Sequence, residues 1–291
     1  MISIVIISKD EASLDDTLVD VIGQAESLEE PCEIVVVDAS DGRLDHIRAR
    51  HEKNVRWVPF KQPPGVQISI PYQRNAGVRA ACGDIIIFTD AGCRPEPGWL
   101  AGLVAPLLQD EHITVGLTLA TPGSSGLYDQ AARQALESRY LRECSTINLG
   151  FHRETFDAIG GFDEGFAYGS DVDFSWRLSD AGYRIRSVPE AVLRHDWGGW
   201  QRQLRRSYVY GKARIRLYRK HRARRRHVLR DDPMVVVYPT FLLGLPLTLF
   251  FPLYPALLLI PAWNNRTNGA ARVLIDHLAY GLGVLAELVA R

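Results

Sequence analysis

Lysine is scarce in this chain: of 34 basic residues only five are lysine, at positions 9, 53, 61, 212 and 220. We read that bias as genomic base composition and attach no function to it. Cysteine is also sparse. Cys32, Cys82, Cys93 and Cys144 lie far apart with no CxxC spacing, which excludes a disulfide framework and a zinc site and suits reduced thiols facing a cytosol. No signal peptide is expected, because Met1 to Ile7 is short and reads as a first strand rather than an h-region. No GxGxxG follows that strand, which disfavours a dinucleotide-binding dehydrogenase. No glycine- and lysine-rich phosphate loop stands near residue 10, which disfavours a nucleotidyltransferase. No repeat or low-complexity tract is present. The 291 residues allow one large domain plus an appendage, and the net charge is zero.

The charge that is present is unevenly placed. Between Arg202 and Arg230 there are 13 Lys or Arg and no acid, and from Pro233 to Asn265 there is no charged residue. A basic run alone could mean nucleic acid. Beside an apolar stretch of this length it reads instead as contact with a membrane of anionic lipids, without nucleic acid. About 20 apolar residues span a bilayer, but prolines 239, 246, 252, 255 and 261 fall inside the run, so a kinked span or re-entrant hairpin is expected. Residues 270–290 form a weaker apolar segment broken by Asp276, His277 and Glu287, a second span or an interfacial helix. The expected division is 1–230 for the main domain and 233–291 for a membrane-associated region, with the main domain at the cell membrane and facing the cytoplasm.

The first hundred residues alternate strands and helices. Ile2–Ile7, Glu33–Val37, Val55–Pro59 and Ile85–Thr89 read as strands; Ser13–Ala25, Leu44–His51, Pro71–Ala81 and Trp99–Leu108 read as helices. This rhythm predicts an α/β fold with a mostly parallel, doubly wound sheet. Further on, Gly116–Thr121 and Tyr183–Val188 are expected strands. Tyr128–Arg142, Asp171–Ala181 and a long basic stretch from Trp200 to Arg226 are expected helices, and Leu149–Tyr168 is expected loop and short helix.

Two strand ends carry the chemistry. The apolar run Ile85 to Phe88 leads to Asp90, and Ile34 to Val37 leads to Asp38. Runs apolar on both faces belong to buried parallel strands, and the carboxyl ends of such strands are where open α/β sheets bind ligands. One carboxylate can hold a base or ribose hydroxyl, the other a metal or ribose. Asp90 has no neighbouring His or Cys pair in sequence, which suits a hard cation carrying phosphates better than zinc. Each Asp alone is equally a helix cap or turn former. Arg74, in Arg74-Asn75-Ala76-Gly77, has the fixed fork of donors that phosphate favours, though most arginines are merely solvated. Asp171 and Asp173 open a helix, where acids are favoured by the dipole, and either is also a candidate general base. Arg177 stands four residues after Asp173, the spacing of an ion pair. His195 follows a strand and a turn and is a candidate phosphate or metal contact.

Taken in order, Ser3 to Glu11, Glu33 to Asp38, Arg74 to Gly77, Gly83 to Gly92 and Gly160 to Gly182 resemble the family 2 glycosyltransferases, which have the GT-A fold. The resemblance covers about residues 2–215. It implies that Glu11 and Asp38 contact the nucleoside, that Arg74 lies near the nucleotide, and that Asp90 is the first Asp of the family's DxD motif. It also implies that Asp171 is the catalytic base of an inverting transfer. Two positions depart from the family pattern: Gly92 replaces the second DxD aspartate, and Ser170 replaces the Glu of the Glu-Asp pair. A divalent cation, Mg2+ or Mn2+, would then rest on Asp90, His195, diphosphate oxygens and water. Gln203-Leu204-Arg205-Arg206-Ser207 lacks the tryptophan of Gln-x-x-Arg-Trp, which implies transfer of single sugars rather than processive synthesis. The expected partners are a nucleotide-sugar donor and a glycan or lipid-linked acceptor. The competing expectation is a membrane-tethered sugar-nucleotide-binding protein without catalysis.

Overall fold

The computed structural model describes residues 1–124, 126–264 and 269–290. By compactness the chain forms two units, one of residues 1–121 and 131–196, the other of residues 122–130 and 197–291.

The first unit is an α/β sandwich. Its strands are β1 (Ile2–Ser8), β2 (Cys32–Asp38), β3 (Val55–Pro59), β4 (Ile85–Asp90), β5 (Arg94–Pro95), β6 (Ile113–Ala120), β7 (Tyr140–Leu141), β8 (Leu149–His152) and β9 (Ile185–His195). They form one nine-stranded sheet in the order β3-β2-β1-β4-β8-β6-β9-β5, with β7 also paired to β9. Helices α1 (Leu14–Glu26), α2 (Asp45–His51), α3 (Ile70–Ala80), α4 (Trp99–Leu107), α5 (Asp129–Leu136), α6 (Arg153–Ala158) and α7 (Ser170–Asp180) follow in chain order, α5 beginning in the second unit. Every residue of β1 is buried, as expected of a central strand covered on both faces.

The sheet is mixed rather than mostly parallel. β1, β2, β3 and β4 pair in parallel, but β8 inserts antiparallel between β4 and β6, and β9 returns parallel to β6. β8 has only four residues, Leu149 to His152, too few to show a period, which is why the sequence reads there as loop. The parallel register brings Asp38 beside Ser8 and Asp90 beside Ile7, so both acids flank the carboxyl end of β1. Gly77 explains the close approach of α3 to the sheet: a Cβ there would lie 2.3 Å from Val5 Cγ1.

The second unit is helical, with α8 (Trp200–Lys220), α9 (Val228–Asp231), α10 (Met234–Leu243), α11 (Leu259–Asn264) and α12 (Ala270–Val289). α8 ends at Lys220 and gives way to a 3-10 segment over Arg222–His227, short of the expected end at Arg226. α8 and α12 pack backbone against backbone, since Cβ atoms on Gly211 and Gly283 would meet the carbonyls of Tyr280 and Tyr208 at 2.1 and 1.9 Å.

The expected membrane span is overturned. Among the described residues no helix is long and apolar enough to cross a membrane. The prolines are the physical cause. α10 contains Pro239 and stops at Leu243; beyond it the chain makes 3-10 turns at Leu245–Leu249 and Tyr254–Leu258 and then the six residues of α11. Asn265, the last residue of the expected run, lies outside the described residues. α12 has the length, but Arg272, Asp276 and Glu287 interrupt its apolarity. Its acids face α8: buried Asp276 accepts hydrogen bonds from Gln203 (2.9 Å), Ser207 and Tyr128, and Glu287 pairs with Arg216 at 2.8 Å and Arg219 at 3.4 Å. The membrane segment of the expected fold and the placement at the cell membrane that rested on it are both withdrawn on this finding.

Candidate functional site

Asp38 is buried at the end of β2, where its Oδ1 accepts from the backbone N–H of Ser40 at 3.0 Å and from the Ser40 hydroxyl. Ser40 Oγ in turn accepts from the N–H of Asp10 at 2.7 Å, which joins the loops that leave β1 and β2. Asp10 takes a left-handed backbone, φ 59°, a region Asp tolerates. Its carboxyl is held below the usual range by a hydrogen bond from Arg43. The Gln73 amide, with its nitrogen turned to the carbonyls of Ser8 and Val37 at 3.1 Å each, fastens α3 to the same strand ends.

Arg74 and Asp90 meet. The guanidinium NH2 donates to both Asp90 oxygens at 3.1 and 3.3 Å, and the group lies 5.9 Å from the Phe162 ring centroid. Arg74 is only 5% exposed, yet its Nε is buried without a hydrogen-bond partner. A buried donor left unmade is costly. Asn75 explains the next letter of the motif: its amide donates to the Phe162 carbonyl and Glu164 Oε1, both at 2.9 Å, and its oxygen accepts from the Phe162 N–H. The glycine-rich approach to α7 is thereby tied to the helix that carries Arg74.

The structure separates the two acids of α7. Asp173 is buried and pairs with Arg177 at 2.8 Å, at the expected spacing; Arg177 also donates to the Ile159 and Gly161 carbonyls. Asp173 is thus structural. Asp171 is half-buried, with Oδ1 accepting from the N–H of Val172 at 2.9 Å. Burial pushes Cys144 up to about 12, with Asp171 raising and Arg74 lowering it. Burial likewise pushes Cys93 up to about 12, with Asp90 raising and Arg74 lowering it.

His195 is the last residue of β9, not a residue beyond a turn, and its Nδ1 lies 3.6 Å from Cys93 Sγ. Glu11 is exposed in the loop after β1 and accepts from the Ser13 hydroxyl and, at 3.4 Å, its N–H. Among the described residues no three His, Cys, Asp or Glu gather as a metal cage. The donor set fits a hard cation that takes most of its ligands from phosphate and water, the habit of Mg2+, and does not fit a cation caged by protein. Sequence reasoning missed Ser40, Gln73 and Cys93, whose roles are to hold other side chains or backbone; Gln73 alone had a signal, as the residue before Arg74 on a helix facing two strand ends.

Residues 3–163 match the sequence profile of the family described as glycosyl transferase family 2, and residues 142–264 match that of glycosyl transferase family group 2. Among curated relatives, the chain is 28% identical over 183 residues to the pre-mycofactocin glycosyltransferase of Mycobacterium tuberculosis, covering 56% of this chain and 37% of that protein. It is 24% identical over 162 residues to glycosyltransferase AglE of Haloferax volcanii, covering 53% of each, and 31% identical over 213 residues to the succinoglycan biosynthesis protein ExoA of Rhizobium meliloti, covering 65% and 62%. The match thus spans between about a third and two thirds of these relatives' own length. Among solved structures, a mannosyltransferase from Pyrobaculum calidifontis in complex with GDP-Man and Mn2+ superposes with a TM-score of 0.70 at 18% identity, covering all of this chain and 87% of that one. GalNAc-T7 with UDP, GalNAc and Mn2+ superposes with a TM-score of 0.55 at 20% identity, covering 75% and 47%. At these identities the structures establish the likeness of fold.

Proposed function

Since the chain belongs to glycosyl transferase family 2, we propose that it transfers a single sugar, with inversion, from a nucleoside-diphosphate donor to a hydroxyl acceptor. The observation that carries this reading is the buried Arg74 with its unpartnered Nε, paired to Asp90 at the carboxyl end of β4. Asp38, across β1 from Asp90, takes the nucleoside together with Glu11. Arg74 takes the diphosphate.

Asp171 accepts the proton of the acceptor hydroxyl as its oxygen attacks the anomeric carbon. The bond from that carbon to the diphosphate oxygen breaks, and the electron pair leaves with the nucleoside diphosphate. Arg74 stabilises the charge that develops there. Asp90, with His195, would hold a divalent cation, which supplies further charge neutralisation on the diphosphate when bound. The Mn2+ in the two solved transferases supports that reading.

Single transfer is supported by Gln203 and Ser207, both bonded to Asp276 within the second unit rather than arranged as a Gln-x-x-Arg-Trp platform. The acceptor we favour is a hydroxyl of a glycan precursor, free or lipid-linked, in keeping with the succinoglycan biosynthesis of the Rhizobium meliloti relative. The test is a panel of UDP-, GDP- and dTDP-sugars scored for binding and for transfer. One donor should bind and turn over. Binding without transfer or hydrolysis, with Mg2+ or Mn2+ present, would point to a sugar-nucleotide-binding protein, the reading that the loss of an acid at Gly92 favours.

A further inference from the structure

Position 92 is where the family pattern places its second aspartate, and here it is glycine with φ 86°. Its backbone is fixed, because the N–H donates to Thr17 Oγ1 at 3.0 Å. A Cβ built on Gly92 would lie 3.6 Å from the carboxyl carbon of Glu11 and 3.2 Å from Ser13 Oγ. The carboxyl carbon of an aspartate is only one bond, about 1.5 Å, beyond Cβ. The Glu11 carboxyl group therefore stands next to the place the missing side chain would enter. It is exposed and oriented from behind by the Ser13 hydroxyl. Two residues before Gly92, Asp90 meets the guanidinium of Arg74, whose buried Nε has no hydrogen-bond partner.

We infer that Glu11 supplies the acidic side chain that position 92 lacks, so that the second carboxylate facing the donor's cation comes from the loop after β1 and not from the end of β4. The chemistry asks for this. One carboxylate already paired to an arginine is a weak anchor for a divalent cation, whereas two carboxylates with phosphate oxygens and water make an ordinary hard-cation environment. The geometry also explains the glycine: an aspartate at 92 beside Glu11 would set two like charges in contact. The inference rests on the donor-binding reading above and shifts Glu11 from the nucleoside to the cation.

The probes are Mn2+ followed by electron paramagnetic resonance, and UDP and GDP followed by calorimetry in EDTA. Wild type should bind one of the nucleotides in EDTA and take up Mn2+ in its presence. Glu11→Gln should weaken Mn2+ uptake about tenfold or more while leaving nucleotide affinity in EDTA unchanged. Unchanged Mn2+ uptake by Glu11→Gln would overturn the inference, as would an equal loss of nucleotide affinity in EDTA, which would return Glu11 to the nucleoside. Wild type that binds neither nucleotide would instead overturn the transferase reading on which the inference stands.

Discussion

Two stretches of this chain are apolar and free of charge, and they end up in opposite surroundings. Ile85 to Phe88 lies wholly inside the sheet, with Ile87 at 0% exposure, while Leu249, in the stretch from Leu243 to Trp263, is 83% exposed. Hydrophobicity alone does not separate them. The first stretch has no breaker, pairs in register with β1 and β8, and is covered on both faces. The second is cut by prolines into turns and short helices that cannot fold their own apolar side chains inward. The carboxylate that ends the first stretch is consequently held rigidly enough to carry chemistry, and nothing comparable ends the second.

The largest expected effect is at the site that the buried stretches position. Asp171→Asn should lower the transfer rate by about 100-fold to 10,000-fold, the span of general-base catalysis, with donor binding retained; paired rate and binding measurements check it. Arg74→Lys comes next, because an ammonium cannot reproduce the fork that spans Asp90 and a phosphate. Its transfer rate should fall by about 100-fold, more through donor affinity and leaving-group stabilisation than through stability.

The comparison itself is sharpened by truncating one residue from each stretch. Ile87→Ala should destabilise the chain by about 2–5 kcal/mol in denaturant unfolding. Leu249→Ala should stay within about 0.5 kcal/mol. A large loss at Leu249 would mean that the second stretch is covered after all.

Much of the first unit was legible from its sequence because strand, turn and acid coincide: Asp38 and Asp90 follow unbroken runs of strand-forming residues, and the Arg177 partner of Asp173 follows from helix spacing. β8 was not legible, since four residues between longer elements carry no period. The continuation of β9 to His195 was hidden by Pro189 and Glu190 inside the strand. The run from Pro233 reads as a membrane span only if apolar composition outweighs its five prolines, and in the folded chain the prolines win. The contact of Glu11 with position 92 is set by two loops in space and has no sequence signal at all.

A smaller effect is expected in the second unit as pH falls. A hydrogen bond from Arg216 holds the Glu287 carboxyl below its usual range, with Lys212 and Arg219 adding to it. A carboxyl lowered by folding contributes stability that is fully present above its unfolded value and is lost as pH falls through the folded one. Thermal unfolding from pH 7 down to pH 3 should therefore show part of the acid destabilisation of wild type removed in Glu287→Gln, together with lower stability at neutral pH.

The central claim, that this is an inverting sugar transferase, is tested most directly by the anomeric configuration of its product. With an α-linked sugar nucleotide that the chain turns over, proton NMR of the freshly formed glycoside should show the β anomer in wild type and product formed at least about 100-fold more slowly with Asp171→Asn. An α-linked product, or equal turnover by the Asp171 variant, would contradict it.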